Sequence, residues 1–294
     1  MWLRLGIFTA LLALGSAQSI ASPGTRITIL YDAFGLPSAL TKDWGFAALV
    51  EYHGKRILFD TGNDAEVFAH NVAAAGADLG HLDFAVISHR HLDHAAGLSH
   101  LLAVNPGISI YVPKEAFGNF GSSLPAQFYR KEEALPEHMR YFDGRPPETL
   151  RFGTAWRDAH FLPLDKTTEV APGIFLLALV SDVPGTRELR ELSLAINSPE
   201  GLILVVGCSH PGIEKIVEAA AAINSHILIV FGGLHLPAAP DEHISRVGRA
   251  LHDVFKVERL APGHCTGEPA FASFKKLWGA NYVHAGLGSV IELP

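Results

Sequence analysis

The chain has 294 residues, enough for one large domain or two small ones, and its 48% hydrophobic and 18% charged residues give a globular composition with ample material for a core. Its 23 basic and 30 acidic residues leave a formal net charge of −7, and no basic run exceeds a pair such as Lys275-Lys276. This argues against a nucleic-acid groove and against a polybasic membrane patch, and leaves a small molecule as the expected partner.

The N-terminus reads as a secretory leader over residues 1–21. Arg4 supplies the positive end, Leu5 to Leu14 the apolar core, and Gly15-Ser16-Ala17 or Ser19-Ile20-Ala21 the small residues for cleavage. The apolar run falls short of the ~20 residues a spanning helix needs. The expectation is therefore a periplasmic or secreted protein of residues 22–294, one domain, with no stable membrane anchor after cleavage. Oligomeric state leaves no trace in the sequence.

Strand-like runs follow at 26–31, 46–52, 56–59, 84–88, 108–112, 174–180, 193–196, 202–206, 227–231, 282–284 and 289–292. Helical patterns alternate with some of them. Asn63 with Glu66 reads as a capping box before the stripe Phe68, Val72 and Ala75. Pro211-Gly212 opens a second helix through Ile213, Ile216, Val217 and Ala220. Asp241 caps a third, and a last one runs from about Glu268 to Gly279. Strands in hairpins, then strands mixed with helices, imply an α/β fold of two sheets with helices outside them. The stretch 113–166 lacks periodicity and is punctuated by Gly and Pro. Its aromatics Phe117, Phe120, Phe128 and Tyr129 either form a lid or substrate wall or pack as a structural loop.

The chemistry concentrates in Ser88-His89-Arg90-His91-Leu92-Asp93-His94, behind the apolar run Phe84-Ala85-Val86-Ile87. Extended backbone points residues i, i+2 and i+4 the same way. It would aim His89, His91 and Asp93 at one point and His94 at a neighbouring one. Imidazoles with a carboxylate suit zinc or a similar divalent ion. Sixteen His residues allow chance clusters, but chance does not account for this order, the strand before it, or the small residues Ala95-Ala96-Gly97 behind it.

Ser88–His94 resembles the metal-binding motif of the metallo-β-lactamase superfamily, and Ile57-Leu58-Phe59-Asp60-Thr61-Gly62 resembles that superfamily's first motif, in which the Asp supports the site. Asp43-Trp44-Gly45-Phe46, Gly207-Cys208-Ser209-His210-Pro211-Gly212-Ile213, Gly232-Gly233-Leu234-His235-Leu236 and Pro262-Gly263-His264-Cys265-Thr266-Gly267 are similar to one branch, the metal-dependent hydrolases of the dihydropterin ribofuranosyl-aminobenzene-phosphate synthase type. The resemblance runs from about Ile27 to the C-terminus and is poorest in the middle third. It implies a four-layer αβ/βα sandwich of two mixed sheets with outer helices, and a metal site at one edge between the sheets.

His210, His235 and His264 each lie just past an apolar run and a small residue, as loops crowding one sheet edge would. With the resemblance, this assigns His89, His91 and His210 to one metal, and Asp93, His94 and His264 to the other, for one or two zinc ions per chain. Cys208 stands where the superfamily has an Asp that often bridges the metals. Either Cys208 or His210 supplies the ligand from this loop, and a Cys that does not ligate is inert core. Cys208 and Cys265 could bridge if their loops meet, but separate thiols near the metal are the favoured reading. Asp60 is expected to orient a ligand His from behind. Trp44 and Phe46 either wall the pocket or pack the core. Arg187, which resembles a residue near the branch's substrate, either binds an anionic group or is a solvated charge.

The implied reaction is attack by a metal-bound hydroxide on a small ester, lactone or phosphodiester-like substrate. Asp93 would bind metal and orient the nucleophile. His235 would protonate the leaving group, unless it serves as an outer donor or substrate contact. Two alternatives stand beside this hydrolase. One is a pterin-condensing transferase like the resembling branch, against which export weighs. The other is a metal- or ligand-binding module without turnover, which the missing bridging Asp favours and the intact Ser88–His94 motif disfavours.

Overall fold

The computed structural model describes residues 24–115, 121–125, 131–153 and 156–294; residues 1–21, expected to be a leader, and the aromatics Phe117, Phe120, Phe128 and Tyr129 lie outside the described residues. The first half contains β1 (Thr25–Tyr31), β2 (Ala47–Tyr52), β3 (Lys55–Phe59), α1 (Ala65–Ala74), β4 (Phe84–Val86), α2 (Leu92–Ala95), α3 (Leu98–Val104) and β5 (Ser109–Pro113). After it come β6 (Gly121–Pro125), β7 (Thr149–Gly153), β8 (His160–Leu164), β9 (Thr168–Ala171), β10 (Ile174–Val180), β11 (Arg190–Ser198) and β12 (Gly201–Val206). The chain closes with α4 (Ile213–Ala221), β13 (Ile227–Gly233), α5 (Asp241–Arg249), β14 (Arg259–Gly263), α6 (Glu268–Trp278) and β15 (Val290–Leu293).

One sheet has the order β15-β1-β2-β3-β4-β5-β8 and the other β14-β13-β12-β11-β10-β9, with β6 and β7 paired apart. Side-chain alternation along the strands explains why the sheets stack. In β12, Ile203 and Val205 face β1, β3 and β4 residues such as Ile29, Phe59 and Val86 in the core between the sheets. Leu202, Leu204 and Val206 face the opposite way, onto Ile216, Val247 and Phe274 of α4, α5 and α6. The first sheet does the same in mirror fashion, with Leu30, Leu58 and Ala85 packed on Phe68 of α1 and Leu101 of α3. The result is the four-layer helix–sheet–sheet–helix sandwich that the resemblance implied, α/β in class with both sheets mixed. Within each sheet one block is parallel: β3, β4, β5 and β8 in the first, β12, β13 and β14 in the second.

Several elements differ from expectation. The α1 cap is Asp64, not Asn63: the Asp64 Oδ1 accepts from the Glu66 and Val67 amides at 2.8 and 2.9 Å. A carboxylate serves there better than an amide because it also complements the helix dipole, and Asn63 instead donates to Asp43. Asp241 is the first helical residue of α5, after Pro240 as cap. Residues 282–284 form no strand, only a bridge between Leu260 and Tyr282. Part of the 113–166 stretch is sheet: β8 hydrogen-bonds to β5 as the edge strand, where Pro163 is tolerated and alternation is lost. Replacing Asp64 by Ala should cost about 1 kcal/mol of stability, measurable by urea denaturation; an unchanged midpoint would mean the cap contributes nothing.

Candidate metal centre

Every candidate ligand sits just beyond the C-terminal end of a parallel strand. β3 delivers Asp60, β4 delivers His89 to His94, β12 delivers Cys208 to His210, β13 delivers His235, and β14 delivers His264 and Cys265. The strand ends at Val86, His89 and Arg90 lie in a bend, and His91 is the N-cap of the short turn α2. That turn corrects the expected direction of Asp93. It swings away from His89 and His91, and its Oδ2 lies 3.5 Å from His264 Nε2 and 3.7 Å from His94 Nε2.

Among the described residues the imidazole donors gather into two clusters, with Cys208, His235 and Cys265 forming a further group beside them. In the first, His89 Nε2 is 3.1 Å from His91 Nδ1 and 3.2 Å from His210 Nε2. In the second, His94 Nε2 is 3.2 Å from His264 Nε2, with Asp93 beside both. Cys208 joins them, its Sγ 3.2 Å from His94 Nε2, and His89, His94 and Cys208 hold their ligand atoms within 4.8 Å of one another. Both Cys208 and His210 thus reach the centre from one loop. A neutral imidazole carries one proton, so hydrogen bonding cannot satisfy three ring nitrogens converging at His89 Nε2. A divalent cation satisfies all of them at once, and imidazole, carboxylate and thiolate donors fit zinc.

A β-lactamase superfamily domain model matches residues 55–171. A 7,8-dihydropterin-6-methyl-4-(β-D-ribofuranosyl)-aminobenzene-5′-phosphate synthase from Methanocaldococcus jannaschii is 28% identical, covering 90% of this chain and 95% of its own. An uncharacterised protein of the same organism is 29% identical over 85% of this chain and 93% of its own. The crystal structure of a metal-dependent hydrolase of the β-lactamase superfamily superposes with a TM-score of 0.69 at 27% identity, covering 92% of this chain and 99% of that one. The chain shares the metallo-β-lactamase fold and is similar in sequence to proteins of that superfamily.

Asp60, which resembles the superfamily's supporting Asp, is fully buried and at φ 59°. Its Oδ1 accepts from the Ser88 amide at 2.6 Å, and its Oδ2 accepts from Ser88 Oγ at 2.8 Å and lies 2.7 Å from His94 Nδ1. Burial opposes a charge on His94, but the Asp60 carboxylate lifts it to about 9, so this position favours a positive charge. His89 is held well below its ordinary value by burial and by the neighbouring His94 and His210. Burial, with His235 and His91, pulls His210 down to about 3. Both rings are therefore neutral, with lone pairs free to donate. Burial would raise Asp93, yet His264 and His94 hold it well below the usual carboxylate range.

Two buried carboxylates escaped the sequence reading. Glu191 accepts from the Cys208, Ser209 and His210 amides at 3.0, 2.8 and 2.8 Å, and so shapes the whole ligand loop. Asp32 accepts from the His264 amide at 2.9 Å. Burial raises both to about 7, partly offset by these amides. Asp32 follows a buried strand just as Asp60 does, and that pattern could have marked it. Glu191 lies in the charge-rich run 187–191 and carries no local signal.

His235 is exposed at φ 53°, its ring centroid 4.2 Å from that of His210, and its ring nitrogen lies within 4.8 Å of the Cys208 and Cys265 sulfurs. Trp44 is 48% exposed, its ring 5.3 Å from His264, at the mouth of the centre, whereas Phe46 is buried in the inter-sheet core. A cleft of about 340 Å³ opens beside the first cluster, lined among others by His210, His235, Lys215 and Arg246. Arg187 lies outside it, exposed in the turn between β10 and β11 near Asp182. Changing Asp60 to Asn would set an amide N–H against the ring of His94. Metal affinity should fall roughly 10–100-fold in competition with a chromophoric chelator; an unchanged affinity would remove Asp60 from this role.

Proposed function

We propose that this chain is an exported, zinc-dependent hydrolase of a small ester, lactone or phosphodiester-like substrate. The observation that carries this reading is the convergence of two donor clusters at one sheet edge, beside an open cleft. The leader-like N-terminus supports export. When bound there, zinc supplies Lewis acidity and makes water acidic enough to act as a nucleophile near neutral pH.

His89, His91 and His210 would hold one ion and Asp93, His94 and His264 the other, and Cys208, grouped with His89 and His94, would add a thiolate donor. Asp60 keeps the Nδ1 of His94 protonated, which turns Nε2 toward the centre. Glu191 and Asp32 fix the loops bearing His210 and His264 against rearrangement. Trp44 covers one side of the His264 ring and limits solvent access there. Exposed and in contact with the His210 ring, His235 is placed to pass a proton from its imidazole to a departing oxygen. The cleft is far smaller than a nucleic-acid groove and suits a small molecule.

A second reading rests on the 28% identity to a relative named a synthase: condensation at the same centre. Product analysis separates the two. For the hydrolase, Asp93→Ala should abolish turnover of a generic phosphodiester or lactone while circular dichroism and melting temperature stay close to wild type. His235→Gln should slow substrates with poor leaving groups roughly 100-fold and leave nitrophenyl esters little affected. Equal losses on both would mean His235 does not protonate the leaving group.

A further inference from the structure

The two cysteines of the chain lie 57 residues apart in sequence, on the loops after β12 and β14, and both are buried and free. Their loops meet. Cys265 Sγ is 3.2 Å from Cys208 Sγ, and Cys208 Sγ is itself 3.2 Å from His94 Nε2. The place of Cys265 is set by Gly233: a Cβ there would lie 2.7 Å from its sulfur and 2.4 Å from the Gly207 carbonyl oxygen. Cys265 Sγ lies within 4.8 Å of the ligand atoms of His235 and Cys208, and the metal-holding roles above do not use it. We propose that Cys208 and Cys265 are a peroxide-sensitive dithiol, whose closure to a disulfide withdraws the Cys208 sulfur from the metal centre. The closure stands on the sulfur contact alone; its effect on metal rests on the centre proposed above.

The sulfurs need to approach by about 1.2 Å to reach the ~2.05 Å of a disulfide. Peroxide transfers one oxygen to the first sulfur, giving a sulfenic acid and water. The second sulfur then attacks the first, the S–S bond forms, and a second water leaves with the sulfenic oxygen. In sum, two thiols and one hydrogen peroxide give one disulfide and two waters; the sulfurs lose two electrons and the peroxide gains them. A sulfur committed to an S–S bond is no longer a thiolate donor.

The test takes the full chain, reduced and freed of reductant, through a titration with hydrogen peroxide. Intact mass spectrometry and thiol counting under denaturing conditions follow the sulfurs, and a chromophoric chelator follows zinc. The expected result is loss of two hydrogen atoms, disappearance of both thiols and parallel release of zinc, all reversed by dithiothreitol. Cys265→Ser should gain oxygen at Cys208 instead and lose no hydrogens. A wild-type protein that only gains oxygen atoms, or does not react, overturns the dithiol. Disulfide closure with zinc fully retained overturns the coupling to the centre. Closure in a protein that takes up no zinc at any stage sinks the metal-centre reading and upholds the dithiol.

Discussion

Three carboxylates buried behind the imidazoles hold this centre together. Asp60, Glu191 and Asp32 are each almost wholly out of solvent, and each accepts hydrogen bonds from the backbone of a ligand-bearing loop. Burying an anion is unfavourable unless hydrogen bonds and nearby positive charge offset the lost hydration. The amides meet part of that cost, as the pKa values near 7 of Asp32 and Glu191 indicate. A cation held by the facing imidazoles would meet more of it. The carboxylates and the donors therefore need each other: the anions fix the loops, and a charge held by the loops stabilises the anions.

The fold concentrates these loops because both sheets run their parallel blocks toward the same edge. Parallel strands expose all their C-terminal ends on one side, so five strand ends from two sheets can meet at one place. The meeting demands unusual backbone. Asp60, Ser209, His235 and His264 all have positive φ, and each lies within three residues of a strand end. Non-glycine residues persist there only where surrounding structure over-determines them. At Ser209 that structure is visible: its amide is bound by Glu191, and its hydroxyl donates to the Gly233 carbonyl at 2.7 Å.

The parts of this arrangement legible in the sequence were those whose chemistry is local. His89 to His94 lie in one short run, and each other ligand His follows an apolar strand and a glycine or serine. The parallel-strand ends could be read one at a time from such pieces. What pairs in space but not in sequence stayed hidden. Glu191 reaches its loop across neighbouring strands and looks like one more surface charge. β8 and β14 are edge strands interrupted by proline, so they lack the alternation that marks a strand. The turn α2 was missed because four residues are too few for a helical period, and with it the true direction of Asp93. The Cys208–Cys265 contact depends on two loops meeting, which no spacing reveals.

The central claim is that the loops at this edge form a two-ion centre, and metal content of the purified protein tests it most directly. Plasma mass spectrometry on protein prepared without chelators should find about two zinc ions per chain. Protein that holds no metal after growth and purification with zinc supplied would contradict the account.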